Sequence, residues 1–189
     1  MEQQKTLILI FGPPAVGKMT IGSELSELTG IPLFHQHMTL DIALEFFEWQ
    51  SDGYHTLNWD LTRVVFNAVS KSSLPGMIFT FVLALNRAGD IERIQSLSSM
   101  FSEEGARVIH VELYADLGTR LERNVSDFRL KRKPTKRDLE TSKRRLLTME
   151  AFNLNSSDEV LPFQNYLKID NTDLDAVAAA KRVCDYFEL

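Results

Sequence analysis

Gly12-Pro13-Pro14-Ala15-Val16-Gly17-Lys18-Met19-Thr20 decides the reading of this chain, because of what flanks it. Before it runs Thr6-Leu7-Ile8-Leu9-Ile10-Phe11, a short apolar run that stops abruptly at Gly-Pro-Pro and reads as a buried strand. From Lys18 the pattern changes to helical spacing, with Ile21, Leu25 and Leu28 on one face and Gly30 as a stop. A Gly-x-x-x-x-Gly-Lys match alone is a weak signal. Strand, loop and helix in that order, close to the start of the chain, is the context a phosphate-binding loop requires. Glycines let backbone N–H groups converge on phosphate oxygens where a Cβ would obstruct the approach. The helix beginning near Lys18 turns its positive dipole end to the same point. Lys18 itself places a full charge between terminal phosphates. The bland alternative is a Gly-Pro turn followed by an unrelated helix. The stretch Gly12 to Thr20 is thus expected to hold a nucleoside triphosphate.

The rest of the chain is read for what surrounds that loop. Its 189 residues, 44% hydrophobic and 25% charged, fit a single domain over 1-189 that buries a core without metal or disulfide help. The lone Cys184 has no internal partner, falls in an amphipathic C-terminal helix, and reads as a half-buried structural thiol in a reducing compartment. No apolar run reaches membrane-spanning length, and Leu7 to Phe11 is too short for a signal-peptide core. A cytoplasmic protein without a membrane partner is expected.

Strand and helix patterns then alternate. Ile31 to Phe34 reads as a short strand, and Thr39 to Gln50 as a helix with Thr39 a possible cap. Thr56 to Ser70 reads as helix and Met77 to Leu85 as a buried strand of nine residues. Asp90 to Glu103 is an amphipathic helix closed by Gly105, and Arg107 to Tyr114 is a strand. Helices follow at Asp116 to Val125 and Asp138 to Phe152, then a polar connector over Asn153 to Phe163. Tyr166 to Ile169 is the last strand and Asp173 to Phe187 the last helix. Such alternation means an α/β domain with a mainly parallel sheet.

Charge is unevenly spread. Residues 118-145 hold eleven Lys and Arg against four Asp and Glu, so this stretch carries +7 within a chain of net charge -5. A basic island on an acidic body argues for a local anionic partner. Apart from Phe128 it lacks interleaved aromatics, which speaks against a nucleic-acid partner.

The run Gly17-Lys18-Met19-Thr20 resembles the loop of adenylate kinases, and the element order resembles the wider nucleoside-monophosphate-kinase-like group that includes shikimate, gluconate and chloramphenicol kinases. The resemblance spans essentially the whole length. It implies a P-loop NTPase fold with a five-stranded parallel sheet ordered 2-3-1-4-5, helices on both faces and a helical lid. It also implies ATP as donor and magnesium held mainly through nucleotide and water. Met19 stands where most P-loops place a magnesium-ligating Ser or Thr, and a thioether offers no oxygen. By resemblance, Thr20 is then the phosphate contact. His110-Val111-Glu112-Leu113-Tyr114, Asp116, Arg120 and Arg123 are similar to the approach to the lid of these kinases. Lys168-Ile169-Asp170-Asn171-Thr172 is similar to the segment beside the adenine base. The island 118-145 becomes the basic lid region and 38-72 the acceptor-covering region.

Arginines that close over a transferring phosphoryl group stabilise its charge. Arg120 and Arg123 lie one helical turn apart, so both can point one way. Arg129, Arg132 and Arg137 lie further into the lid. Most of the eleven cations read as a solvated helical surface, with Arg123 and Arg129 foremost among those expected on phosphate. Related kinases carry Asp-x-Asp after the second strand, where this chain has His35 and His37. Alternation on a strand would give the two imidazoles one site. Acceptor recognition or general-base work, a metal pair, and plain structural histidines all remain open, with no third metal ligand at a suitable spacing. Asp41 is the nearest carboxylate for a base. Arg87, beyond the third strand, stands where these kinases often bind the acceptor, or else it caps its loop. Phe46, Phe47, Trp49, Tyr54 and Trp59 would wall a planar or apolar acceptor, though at helical spacing most read as core.

Two function classes follow. One is a kinase that moves the γ-phosphate of ATP to a small-molecule acceptor, with Lys18, Arg123, Arg129 and Asp41 catalytic and His35, His37 and Arg87 on the acceptor. The other is a nucleotide-binding switch or slow ATPase, favoured by the missing Asp-x-Asp and loop Ser. Against it, the chain shows no Asp-x-x-Gly switch segment and no extra domain to receive a signal.

Overall fold

The computed structural model describes residues 4–125, 139–157 and 161–189. Arg129, Arg132 and Arg137, and with them the centre of the basic lid region, lie outside the described residues. The strands are β1 (Thr6–Phe11), β2 (Leu33–His35), β3 (Gly76–Thr80), β4 (Arg107–Tyr114) and β5 (Tyr166–Asp170). The helices among the described residues are α1 (Lys18–Thr29), α2 (His37–Leu44), α3 (Asp52–Ser70), α4 (Asp90–Ser102), α5 (Leu117–Asn124), α6 (Leu139–Met149) and α7 (Ala176–Phe187).

All strand pairs are parallel, and the sheet runs in the order β2-β3-β1-β4-β5. β1 is central, and every residue from Thr6 to Phe11 is buried, which explains its unbroken apolar run. Because side chains alternate, Ile8 and Ile10 enter one core with Ile21, Leu25, Ala180 and Val183 of α1 and α7. Leu7, Leu9 and Phe11 enter the other with Phe66, Leu97 and Phe101 of α3 and α4. The second core is aromatic: the Phe66 ring meets Phe79 edge-on at 5.0 Å and Phe101 at 5.8 Å. Phe66 is fully buried, so truncating it to Ala costs about 3–5 kcal/mol.

Caps define several helix starts. Ser51 accepts from the Tyr54 N–H, Asp116 from Thr119 and Asp175 from Ala178. Gly30 closes α1 in the left-handed region, and Gly105 follows α4 with φ 76°. Cys184 is half-buried against the α1/α7 core, as expected, and burial raises its thiol pKa.

Several expectations need correction. The strand expected over Met77 to Leu85 is regular only to Thr80; Phe81 keeps one N–H bond to the Ile10 carbonyl, and Leu83 and Ala84 are buried beyond the strand. Burial made them look like strand, because apolar runs do not report hydrogen bonding. Leu28, 50% exposed, is off the buried face of α1. Thr39 lies inside α2 behind the N-cap Gln36, with its hydroxyl oxygen 3.0 Å from the Gln36 carbonyl. The helix expected over Thr39 to Gln50 ends at Leu44, and α3 starts earlier than Thr56, at Asp52. Phe46, Phe47 and Trp49 are exposed, not core, because they sit in the turns between those helices; Tyr54 is buried.

The polar connector is fixed by a buried acid. Glu112 on β4 is fully buried and accepts from Asn155 Nδ2, the Ser156 N–H and the Tyr166 hydroxyl. The Lys168 ammonium lies 3.4 Å away. The four partners compensate the burial of its charge, and burial with this acid raises the Tyr166 pKa.

Candidate functional site

The loop after β1 lies at the carboxyl end of the sheet, where the connections from the central strand diverge to β2 on one side and β4 on the other. Gly12 has φ 141°, and a Cβ there would sit 2.3 Å from the Leu113 carbonyl oxygen, so only glycine lets the loop leave past β4. Ala15 (φ 64°) and Gly17 (φ 108°) are left-handed. Gly17 caps α1 without a side-chain acceptor, so the first-turn N–H groups of α1 face the loop's concavity uncapped. Lys18 Nζ reaches across the loop to the carbonyls of Gly12 (2.7 Å) and Pro13 (2.8 Å). Backbone donors, a helix N-terminus and an ammonium converge on one anion-sized space.

The loop is held from below. Asn171 Nδ2 donates to the Val16 carbonyl at 2.8 Å. Arg123 donates to Val16 (3.3 Å), Asn171 (2.8 Å) and Thr172 (3.1 Å) carbonyls, tying α5, the phosphate loop and the end of β5 together. Arg120 does not share that direction. Its guanidinium is buried in a bidentate pair with Glu150 (2.9 and 2.8 Å), and its Nε donates to the Ala115 carbonyl. The two residues lie on one helix, yet Arg120 turns to the Glu150 carboxylate and Arg123 to backbone carbonyls of the loop and the end of β5.

Beside the loop opens a cleft of about 370 Å³, between the strand ends, α2, α3, α4 and α6. Pro14, Ala15, Lys18 and Met19 form its phosphate-loop wall. Of the acceptor candidates, His37 and Arg87 line it; His35, Asp41, Thr20 and Arg123 do not. β2 ends at His35 and α2 starts at His37, so strand alternation does not apply, yet the rings still approach to 6.4 Å. Asp41 is exposed on α2. No group of three His, Cys, Asp or Glu among the described residues is arranged to hold a metal.

Three lining residues escaped the sequence reading. Asp90, at the start of α4, is mostly buried and lies 3.9 Å from Arg87 and 4.0 Å from Arg93. Its signal was its place three residues after Arg87, but it was read only as the start of a helix. Arg145 is the cation of the basic island that faces the cleft among the described residues, and its guanidinium lies 4.6 Å from the Trp49 ring. Asn58, on α3, is the third; nothing in sequence distinguishes it from an ordinary surface amide. Tyr54, which hydrogen-bonds Trp49, has its phenol pKa raised, mainly by burial.

No protein-family model matches this chain, and no curated protein matches it in sequence. Solved structures do match over nearly the full length. Shikimate kinase from Acinetobacter baumannii, in complex with shikimate, is 21% identical with a TM-score of 0.59, covering 99% of this chain and 94% of that one. The Mycobacterium tuberculosis APS kinase, in complex with AMPPNP and APS, is 12% identical with a TM-score of 0.62, covering 98% and 99%. A tunicamycin resistance protein from Deinococcus radiodurans is 21% identical with a TM-score of 0.55, covering 97% and 96%. The fold is therefore that of the P-loop small-molecule kinases, with the strand order expected from the resemblance.

Proposed function

We propose that this protein is an ATP-dependent phosphotransferase that moves the γ-phosphate to a small-molecule acceptor bound in the cleft. One observation carries the reading: the phosphate loop, with Lys18 across it, forms one wall of a cleft deep enough for a second molecule. A switch protein needs no such chamber beside its phosphates. The residues from Gly12 to Thr20 fit a triphosphate, since the left-handed backbone at Ala15 and Gly17 opens N–H groups that no side chain caps. Magnesium bound to the nucleotide would neutralise its oxygens. The protein's own contribution to that ion is small, because Met19 faces the cleft with a thioether.

In the transfer, the acceptor's hydroxyl oxygen bonds to the γ-phosphorus while the bond to the β,γ-bridging oxygen breaks and its electron pair leaves on ADP. Lys18 stabilises the charge that accumulates on the oxygens. His37 is the imidazole on the cleft wall and takes the hydroxyl proton or orients that hydroxyl, in place of Asp41. Arg123 supports the loop through its carbonyls, and Arg145 and Arg87 line the acceptor side of the cleft. His35 packs behind His37. Arg129 remains a proposed lid cation. We take 1-189 as one P-loop domain in which 38-72 would cover the acceptor and 118-145 would form the lid, residues 126–138 of it lying outside the described residues. No helix of the described residues is long and apolar enough to cross a membrane.

Thermal shift with ATP and magnesium tests the donor half, since a ligand of the folded state raises the midpoint with its occupancy. Lys18→Ala should remove most of that shift and all turnover. Turnover that survives Lys18→Ala refutes the kinase reading. A shift with ATP that no acceptor class extends moves the slow ATPase or switch ahead.

A further inference from the structure

The acceptor half of the cleft has its own construction. Trp49, Tyr54, Trp59, Phe79 and Phe81 all line it. Asn58 sits one helical turn from both Tyr54 and Thr62 on α3, so the three share a face. Thr39, 3% exposed on α2, donates its hydroxyl to Asn58 Oδ1 at 2.8 Å. Thr62, 4% exposed, donates to the Asn58 backbone carbonyl at 2.8 Å. The Thr39 hydroxyl thus holds the amide oxygen, while Thr62 ties only the backbone of the same helix. The Asn58 Nδ2, with two N–H groups, has no hydrogen-bond partner among the described residues, on a residue that lines the cleft.

The arginines of the cleft lie near its one carboxylate or its indole rings. Arg87 and Arg93 share the single carboxylate of Asp90, and the Arg93 guanidinium lies 5.7 Å from the Trp59 ring. Arg145 lies over Trp49. A cationic acceptor meets four cations, Lys18 included, and finds one carboxylate that two arginines hold. An anionic acceptor competes with Asp90 and with the indole faces for these arginines. An uncharged ring needs no arginine, and aromatic walls with a few fixed polar groups suit it.

We propose, resting on the kinase reading above, that the acceptor is an uncharged aromatic alcohol and that Asn58 selects it by donating its side-chain amide to an oxygen or ring nitrogen of that molecule. Asn58 is a specificity residue. Thr39 is a positioning residue that keeps the amide nitrogen turned to the cleft.

The test uses the full chain with ATP and magnesium, measuring ADP release and phosphorylated product. The uncharged probes are adenosine, thymidine and pyridoxine. Shikimate and a nucleoside monophosphate are the anionic probes, and an aminoglycoside is the cationic one. An uncharged probe should be phosphorylated in preference to the charged ones. Asn58→Asp keeps the acceptor oxygen for Thr39 and removes both donors. It should raise the acceptor KM about fivefold to tenfold with kcat changed less than about twofold, the loss expected for one binding hydrogen bond. Thr39→Ser should keep the wild-type KM, and Thr39→Val should raise it. In every variant the ATP-induced thermal shift should match wild type, which keeps a folding failure separate from a lost contact. Preferential phosphorylation of a charged probe overturns the proposal, as does an ATP shift with no uncharged probe accepted. An unchanged acceptor KM in Asn58→Asp and Asn58→Ala overturns the role of Asn58. Absence of any ATP shift in the wild type instead removes the kinase reading itself.

Discussion

Removing Glu150 should cost this protein more than removing its partner Arg120, although the two form one ion pair. The Arg120 side chain is 6% exposed and that of Glu150 33%. The pair is bidentate, with N–O distances of 2.9 and 2.8 Å. An exposed pair contributes about 0.2–1 kcal/mol, whereas stripping the partner from a buried charge costs about 3–5 kcal/mol. In Glu150→Ala the guanidinium stays in the core with the Ala115 carbonyl as its remaining bond. Discounting for the third of Glu150 that water already reaches, the loss should be about 2–3 kcal/mol. In a chain of this size each kcal/mol lowers the midpoint by about 2–4 °C, so a fall of about 5–10 °C is expected. Arg120→Met leaves an acid that water can reach and fills the volume with an apolar chain, so it should cost only about 1 kcal/mol. Urea unfolding of Glu150→Ala, Arg120→Met and the double variant Arg120→Met/Glu150→Ala gives the coupling energy. The double variant should recover most of the Glu150→Ala loss. Because Arg120 is buried, 0.5 M salt should change the coupling little. Equal losses in the two single variants, or a coupling below about 0.5 kcal/mol, would refute the reasoning.

Other consequences follow from single contacts. Gly12→Ala places a Cβ against the Leu113 carbonyl at a positive φ, so the loop must move; ATP-induced stabilisation should vanish while the far-UV spectrum stays folded. His110, buried and stacked on Phe163 at 4.4 Å, has its pKa lowered below 6.5, chiefly by burial. Its folded pKa is the depressed one, so its contribution is complete above pH 6.5 and is lost as pH falls from there through the folded value. Urea midpoints between pH 7.5 and 5 should fall in the wild type and fall less steeply in His110→Gln; parallel slopes would remove His110 as the cause. Cys184, its thiol pKa raised by burial and then by Asp185, should react slowly with a thiol reagent at pH 7.5 and quickly after unfolding.

Much of the fold was legible because it rests on local patterns. β1 reads as a two-sided buried strand from its unbroken apolar run, and β4 from Arg107 to Tyr114 was legible to the residue. The phosphate loop was legible because its glycines are demanded by backbone geometry, as the Gly12 approach to Leu113 shows. Where burial and hydrogen bonding part, patterns mislead. Phe81 and Leu83 are as buried as a strand without being in one. Phe46 and Trp49 keep helical spacing across a turn that the sequence does not announce.

The sequence by itself determined the element order and the phosphate loop, since both follow from interactions between residues close along the chain. Only the tertiary structure decided the acceptor side. Arg120 and Arg123 are equivalent in sequence, yet one meets Glu150, thirty residues away, and the other the carbonyls of Val16 and Asn171. The Asn58 amide oxygen meets the Thr39 hydroxyl only because packing brings α2 against α3. Side-chain direction depends on partners that packing brings together, and a one-dimensional pattern carries no record of them.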